Sequence, residues 1–315
     1  MPGTWRHLHY LQRPAKNVER RMIAELILRL DRLRPLDQWR YVGMGSVYFG
    51  DFAVFHRTVG FTEMINIESD DSLENRARFE FNKPFGCVDL RWGDTSDVLP
   101  TLEWDVPTVV WLDYDGKLDA SKLGDIASVI TACEPPTLVI VSVNVESSGP
   151  NDAVLAEFSE NVTPQKVPAG TLADDVAGWS LAELARQVMS AEVASALADR
   201  NGVINEEGDK LEWRQLVNFQ YADGAKMATV GGLVSRAEDA AATDDADLTG
   251  LFFARGGEEP CRIRIPNVTN REILHLARQM PRDHGDLEHE GIPERERRDF
   301  ASAYRYFPAY VAVDL

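Results

Sequence analysis

The chain has 315 residues, of which 44% are hydrophobic, 27% charged and 9% aromatic, a balance that excludes a disordered or fibrous protein and allows one large core or two small ones. Asp and Glu number 51 against 33 Lys and Arg, a net charge of −18, which excludes a general nucleic-acid coat because such proteins meet phosphate with basic side chains. Cys87, Cys133 and Cys261 stand far apart without metal or redox spacing, and no leader-like segment or run of 18 apolar residues occurs, so the expectation is a reduced cytoplasmic protein with no membrane span.

The charge is unevenly spread, since residues 1–40 hold nine basic side chains and four acidic ones. Such a segment either faces a phosphate-bearing ligand or docks against the protein's own acidic surface. From Asn17, the residues Val18, Met22, Ile23, Leu26, Ile27, Leu30 and Leu33 recur at helical spacing, predicting an amphipathic helix with Asn17 as N-cap and Pro35 as stop. Apolar runs at 39–44, 63–68, 87–92, 108–113 and 137–143 then predict five strands. The segments between them, 46–60, 71–83, 94–103 and 120–133, predict helices or helical turns, with Asp71 and Asp119 at N-caps. This alternation predicts a parallel sheet covered by helices on both faces.

After Asn144 a polar loop leads into an insertion at about 146–210 with one clear helix, opened by a Ser180–Glu183 capping box and closed at Asn201-Gly202. Residues 216–234 read as two strands joined at Asp223-Gly224 by a type I′ turn. The acidic stretch 236–249 predicts a mobile surface loop. Beyond it come a strand near Cys261–Ile265, a helix from Thr269 with Glu272 completing a capping box, a charged turn over 285–300, and an aromatic tail whose Tyr304, Tyr306, Phe307 and Tyr310 pack onto the core.

Chemistry is concentrated at the ends of the predicted strands. The first runs into Gly43-Met44-Gly45-Ser46, where glycines permit a tight turn and close ligand approach, and the next helix offers free N–H groups. Tyr48 stands where the dinucleotide fingerprint needs its third glycine, and no GxxxxGK occurs, which disfavours NAD and a P-loop nucleotide. The second, third and fourth strands end in Glu68, Asp94 and Asp113, the last followed by Asp115 and Lys117. Successive βα units thereby deliver acids to one sheet edge, the C-terminal one, where ligands of open α/β sheets bind.

Over about residues 38–235 the chain resembles the class I S-adenosylmethionine-dependent methyltransferases. More closely it is similar to bacterial O-methyltransferase-like proteins that carry YxGxGSxYFxDF, RFEFNKPF and WLDYDGKLD segments. The resemblance implies an α/β Rossmann-like fold whose parallel sheet ends in an antiparallel hairpin, with an N-terminal helical extension (1–37), the helical insertion and a C-terminal extension (236–315). It implies S-adenosyl-L-methionine as cofactor and S-adenosylhomocysteine as product, with Gly43, Gly45 and Ser46 at the methionine end, Glu68 on the ribose, Asp94 on the adenine, and Asp113 opening the fourth-strand motif. The family's acid two residues before the first glycine is Tyr41 here.

Methyl transfer to oxygen or nitrogen of an unidentified acceptor then needs alignment and, for a hydroxyl or ammonium, proton removal. Asp113 and Asp115 are the candidates, with Lys117 tuning them. Two acids one residue apart could also join in holding Mg²⁺, but the further oxygen ligands a hard cation needs are not identifiable in the sequence, and no metal site is assigned. The motif is not DPPY or NPPY, so base methylation and a nucleic-acid substrate are not supported. His56 reads as a satisfied helix histidine, and Lys16 and Asn17 reach the site only if the first helix closes over the sheet edge. The alternative function is a cofactor- or nucleotide-binding scaffold or sensor in a multi-protein system, docking through the insertion or the C-terminal extension.

Overall fold

The computed structural model describes residues 13–307; Tyr310 of the aromatic tail lies outside them. The five predicted strands form as β1 (Arg40–Gly43), β2 (Met64–Glu68), β3 (Val88–Trp92), β4 (Thr108–Lys117) and β5 (Thr137–Asn144). The hairpin strands are β6 (Leu211–Ala222) and β7 (Lys226–Arg236), and a two-residue strand, β8 (Cys261–Arg262), pairs with β6. They make one sheet in the order β3-β2-β1-β4-β5-β7-β6-β8. The first five strands run parallel, and β7 is antiparallel to both β5 and β6.

Alternate residues of the central strands bury on opposite faces, as a strand period of two requires. Tyr41, Val109, Trp111, Leu138 and Ile140 join a core beneath helices α1 (Pro14–Arg29) and α2 (Gly50–Thr58). Val42, Val110, Leu112, Val139 and Val141 join a second core. It lies beneath α5 (Ala120–Ala132), α6 (Asn151–Val162) and α7 (Ser180–Asn201). Between them in chain order come α3 (Leu73–Asn82) and the one-turn α4 (Thr95–Val98). Both faces are covered, as the alternating pattern predicts.

Several local expectations are corrected. The first helix starts at Pro14, whose fixed φ and missing N–H suit the first helical position, so Arg13 is the N-cap and Asn17 is internal. Ser72, not Asp71, caps α3, its hydroxyl accepting from the Asn75 N–H. At α7 the N-cap is Trp179. Glu183 there reaches forward to Arg186 Nη2 at 2.6 Å and Nε at 2.8 Å, a charge-assisted fork that outcompetes the capping box. The insertion holds α6 as well as α7. The hairpin turn spans three residues, because Ala222 pairs with Lys226 and only Gly224 takes positive φ, whereas type I′ needs two such residues.

The stretch 236–249 is not a loose loop. It forms α8 (Ala240–Asp245) between two short 3₁₀ turns, and Ala246 and Leu248 are buried. Near the C-terminus, α9 (Asn270–Ala277) begins with the predicted Thr269–Glu272 capping box. Part of the expected charged turn is instead helix α10 (Glu294–Ala303). Leu276, Leu287, Ile292 and Phe300 there form a small core of their own. Tyr306 packs against Phe253, with ring centroids 5.9 Å apart, and donates a hydrogen bond to Glu25 of α1.

Candidate active site

Register places the predicted site residues in a row. Gly43, the last residue of β1, pairs with Asn66 on β2 and Trp111 on β4, so Glu68 and Asp113 each lie two residues further along on either side of the Gly45 turn. Glu68 pairs with Trp92, which puts Asp94 two residues beyond on the next strand. The strand order reverses between β1 and β4, the switch point at which a crevice opens in doubly wound sheets. Gly43, Gly45, Ser46, Glu68, Asp94, Asp113 and Asp115 are therefore gathered on one edge.

The turn itself is tightly built. Asn66, fully buried, accepts the Gly45 N–H at 2.8 Å, while Ser46 and Phe49 take left-handed φ of 49° and 47°. A Cβ on Gly43 would stand 2.3 Å from the Tyr41 hydroxyl, and one on Gly45 would stand 2.5 Å from the Phe52 ring. Glycine is thus required at both positions by the protein's own packing. Tyr41, at the place where the resemblance puts an acid, donates its hydroxyl to Asp51 of α2. A carboxylate from the following helix stands there instead.

Asp113 is held by a buried ion pair. Its Oδ1 lies 2.6 Å from Lys16 Nζ, which is also 2.8 Å from Glu19. The Lys16 ammonium is 1% exposed and lies 4.3 Å from the centroid of the Trp111 ring, so attraction to the ring face adds to two ion pairs. Asp113 retains 18% exposure and is open to a ligand. Behind Lys16, Glu19 accepts from Thr229, Thr229 meets Ser142 at 2.8 Å, and Ser142 accepts from Trp111 Nε1 at 2.9 Å. Burial raises the Glu19 carboxyl above its ordinary range, while the charge of Lys16 pulls it back down.

The first helix does close over the sheet edge, and the lysine beside Asp113 is Lys16. Lys117 points elsewhere, its ammonium 2.7 Å from Glu157 on α6, across a cleft floored by Leu118, Val154, Phe158 and Leu181. Sequence reasoning assigned Lys117 by nearness in the chain. Lys16 is 97 residues from its partner, and its signal was a lysine inside an apolar helix face. Tyr114, between the two acids on β4, faces the other side and donates to Asp125 of α5 at 2.6 Å. Asp94 is exposed and makes no side-chain cap to α4. Glu68 Oε1 accepts the Asp70 N–H at 3.1 Å.

His56 Nδ1 lies 2.7 Å from the Phe61 carbonyl, and its ring packs on Phe85. Among the described residues no group of three or more His, Cys, Asp or Glu could hold a metal ion, and no helix is long and apolar enough to cross a membrane.

A parallel sheet with this strand order, an antiparallel seventh strand and acids ranked around a glycine turn defines the Rossmann-like methyltransferase class. The chain belongs to the family described as Putative O-methyltransferase, whose sequence model matches residues 8–315, and the expectation of a methyltransferase is met by that membership. A search of curated proteins found no match.

Solved structures similar to the chain include the O-methyltransferase TomG of Streptomyces achromogenes, determined with S-adenosylmethionine, at 16% identity over 68% of this chain and 79% of that one, TM-score 0.39. Another is Trm1 of Pyrococcus horikoshii, also with S-adenosylmethionine, at 10% identity over 90% and 75%, TM-score 0.46. A Klebsiella pneumoniae protein described as a putative O-methyltransferase shares 14% identity over 70% and 88%, TM-score 0.35.

Proposed function

We propose that the protein transfers a methyl group from S-adenosylmethionine to a hydroxyl oxygen of a small acceptor. The observation that carries this reading is the row Glu68, Asp94 and Asp113, one acid per strand, around the Gly45 turn at the switch point of the sheet. A nucleoside with a diol and an exocyclic amine fits two carboxylates spaced along an edge, since both donate hydrogen bonds that ionised acids accept. Family membership favours oxygen over nitrogen and an enzyme over a scaffold.

When bound, the cofactor would supply an electrophilic sulfonium methyl carbon for transfer to the acceptor oxygen. Glu68 would hold its ribose and Asp94 its adenine amino group. Asp113, fixed by Lys16, orients the acceptor hydroxyl, and Asp115, two residues further along β4, takes its proton. Such positioning and proton removal need a carboxylate within hydrogen-bond reach and a barrier lowered mainly by alignment. The insertion contributes acceptor recognition, because α6 reaches the end of β4 through the Lys117–Glu157 bridge.

Calorimetric titration tests this directly, with NAD and ATP as controls. The folded protein is expected to bind S-adenosylmethionine and S-adenosylhomocysteine at micromolar concentration, and Glu68→Ala to weaken both by about tenfold or more, the effect of a lost charge-assisted hydrogen bond. Asp113→Asn is expected to keep the affinity and lower S-adenosylhomocysteine formation from a panel of phenols and alcohols by about 10²-fold. A folded protein that binds neither ligand would sink the reading.

A further inference from the structure

The sheet ends in β3, and among the described residues no strand pairs with its outer side. Its inner side is fixed by β2. The Cys87 carbonyl accepts the Met64 N–H at 3.0 Å, and the Gly93 N–H donates to the Glu68 carbonyl at 3.0 Å. With the parallel register, Asp89 and Arg91 therefore turn their N–H and C=O groups toward β2. Leu90 and Trp92 turn theirs outward, as does the Val88 carbonyl, while the Val88 N–H is taken by the Phe85 carbonyl at 3.3 Å. No bulge or proline interrupts Val88–Trp92, although such devices are the usual means of closing a sheet edge to other chains.

The side chains divide between the two faces. Val88 is buried, and the partly buried Leu90 and Trp92 pack against the same core. Asp89 and Arg91 stand on the opposite face, 57% and 53% exposed, with Arg91 Nη2 2.8 Å from Asp89 Oδ2. Over the apolar face lies α3, whose Phe79 meets Trp92 with ring centroids 5.6 Å apart. The same helix carries Leu73 and Phe81 at 87% and 89% exposure, large apolar side chains of the kind found at association surfaces.

We infer that β3 pairs with β3 of a second copy of this chain, antiparallel about a two-fold axis at Leu90, making one continuous sheet across both copies. Such an axis stands perpendicular to the sheet and keeps each face on its own side, so it passes beside a residue rather than between two. Leu90 faces the partner's Leu90, each N–H donating to the other's carbonyl. Trp92 faces the partner's Val88 and donates to the carbonyl that points outward. Asp89 then faces the partner's Arg91, and Arg91 the partner's Asp89, at the positions where cross-strand side chains approach most closely. Moving the axis to Asp89 sets two aspartates face to face, and moving it to Arg91 sets two arginines. Charge thus selects the register as well as the occupant, and the edge is complementary to itself. The contact goes beyond the methyl-transfer reading and does not depend on it.

Sedimentation equilibrium of the full chain at micromolar concentration is expected to show a two-chain species. Leu90→Pro removes an N–H that β2 does not use, and proline is tolerated on an edge strand in that orientation. It is expected to leave the thermal melt nearly unchanged and to weaken self-association by about tenfold or more. Asp89→Arg and Arg91→Asp each set like charges opposite one another, and each is expected to weaken self-association by about tenfold or more. Mixed together, these two variants regain every opposite-charge pair and are expected to form a mixed species as tight as wild type, read by labelling one of them.

A wild-type chain that sediments singly throughout the micromolar range overturns the inference. So does a two-chain species that Leu90→Pro leaves intact, or a mixture of the charge variants that pairs no better than either alone. If Leu90→Pro does not fold, the two exposed charge variants and their mixture decide the matter by themselves.

Discussion

The ammonium of Lys16 is buried between two carboxylates, Glu19 and Asp113, and beneath it lies an indole face. Alone, none of these three charges would be stable out of water; together they satisfy one another. Removing the cation leaves two acids facing each other, so Lys16→Met is expected to cost about 3–5 kcal/mol near pH 8. The cost should depend on pH. Burial already raises the Glu19 carboxyl and Lys16 is the largest influence lowering it, so the variant raises it further. A group whose folded pKa exceeds its unfolded value stabilises the fold below the unfolded value, here 4.5, and that contribution is lost as pH rises through the folded one. Urea melts should therefore show Lys16→Met falling further below wild type as pH rises above 4.5. A penalty independent of pH would remove Glu19 from the account.

At the scale of elements, the first helix is held by parts of the chain about 200 residues away. The Asp223 carboxylate of the β6–β7 turn accepts the Ala15 N–H at 3.3 Å and the Lys16 N–H at 2.9 Å, doing from a distance what an N-cap side chain does locally. At its other end, Arg29 bonds Asp247, Arg32 donates to the Asp245 carbonyl at 2.6 Å, and Arg34 lies 3.7 Å from Asp239. The basic segment thus docks on the protein's own acidic surface, and the acidic stretch 236–249 is ordered by the same contacts. Asp223→Ala frees two helix N–H groups and is expected to lower stability by about 1 kcal/mol. It should also speed amide exchange in α1 more than in β4, and equal effects on both would mean that the cap does not govern the helix.

For the whole molecule, the first helix is core. Val18, Met22, Ile23, Leu26, Ile27 and Leu30 are buried to 2% exposure or less, and side chains of this kind contribute about 1.5–3 kcal/mol each when taken from water. Deleting residues 1–37 uncovers Tyr41, Phe52, Phe55 and Trp111 as well, all in the same cluster. The shortened chain is expected to be insoluble or to unfold without a cooperative transition, which solubility and a thermal melt would show. A soluble two-state product would mean that the remaining sheet needs no cover on that face.

The sheet was legible in the residues because its signals are local. Apolar runs such as TVVWLD at 108–113 and TLVIVSV at 137–143, with helices between them, follow from a period of two and burial on both faces. The acids at 68, 94 and 113 could be read as one edge from spacing alone. Caps were less legible: Pro14 started α1 ahead of Asn17, Ser72 capped α3 in place of Asp71, and Glu183 bonded Arg186 instead of closing a capping box. The site itself was half legible. Strand ends announce Glu68, Asp94 and Asp113, but nothing near them announces Lys16, Asp51 or Asp223. By itself the sequence determined the strand order's ingredients and the sheet edge along which the acids Glu68, Asp94 and Asp113 lie. Only the tertiary structure decided which cations meet which acids, because a buried ion pair is made by whatever the fold brings within a few ångströms once water is gone.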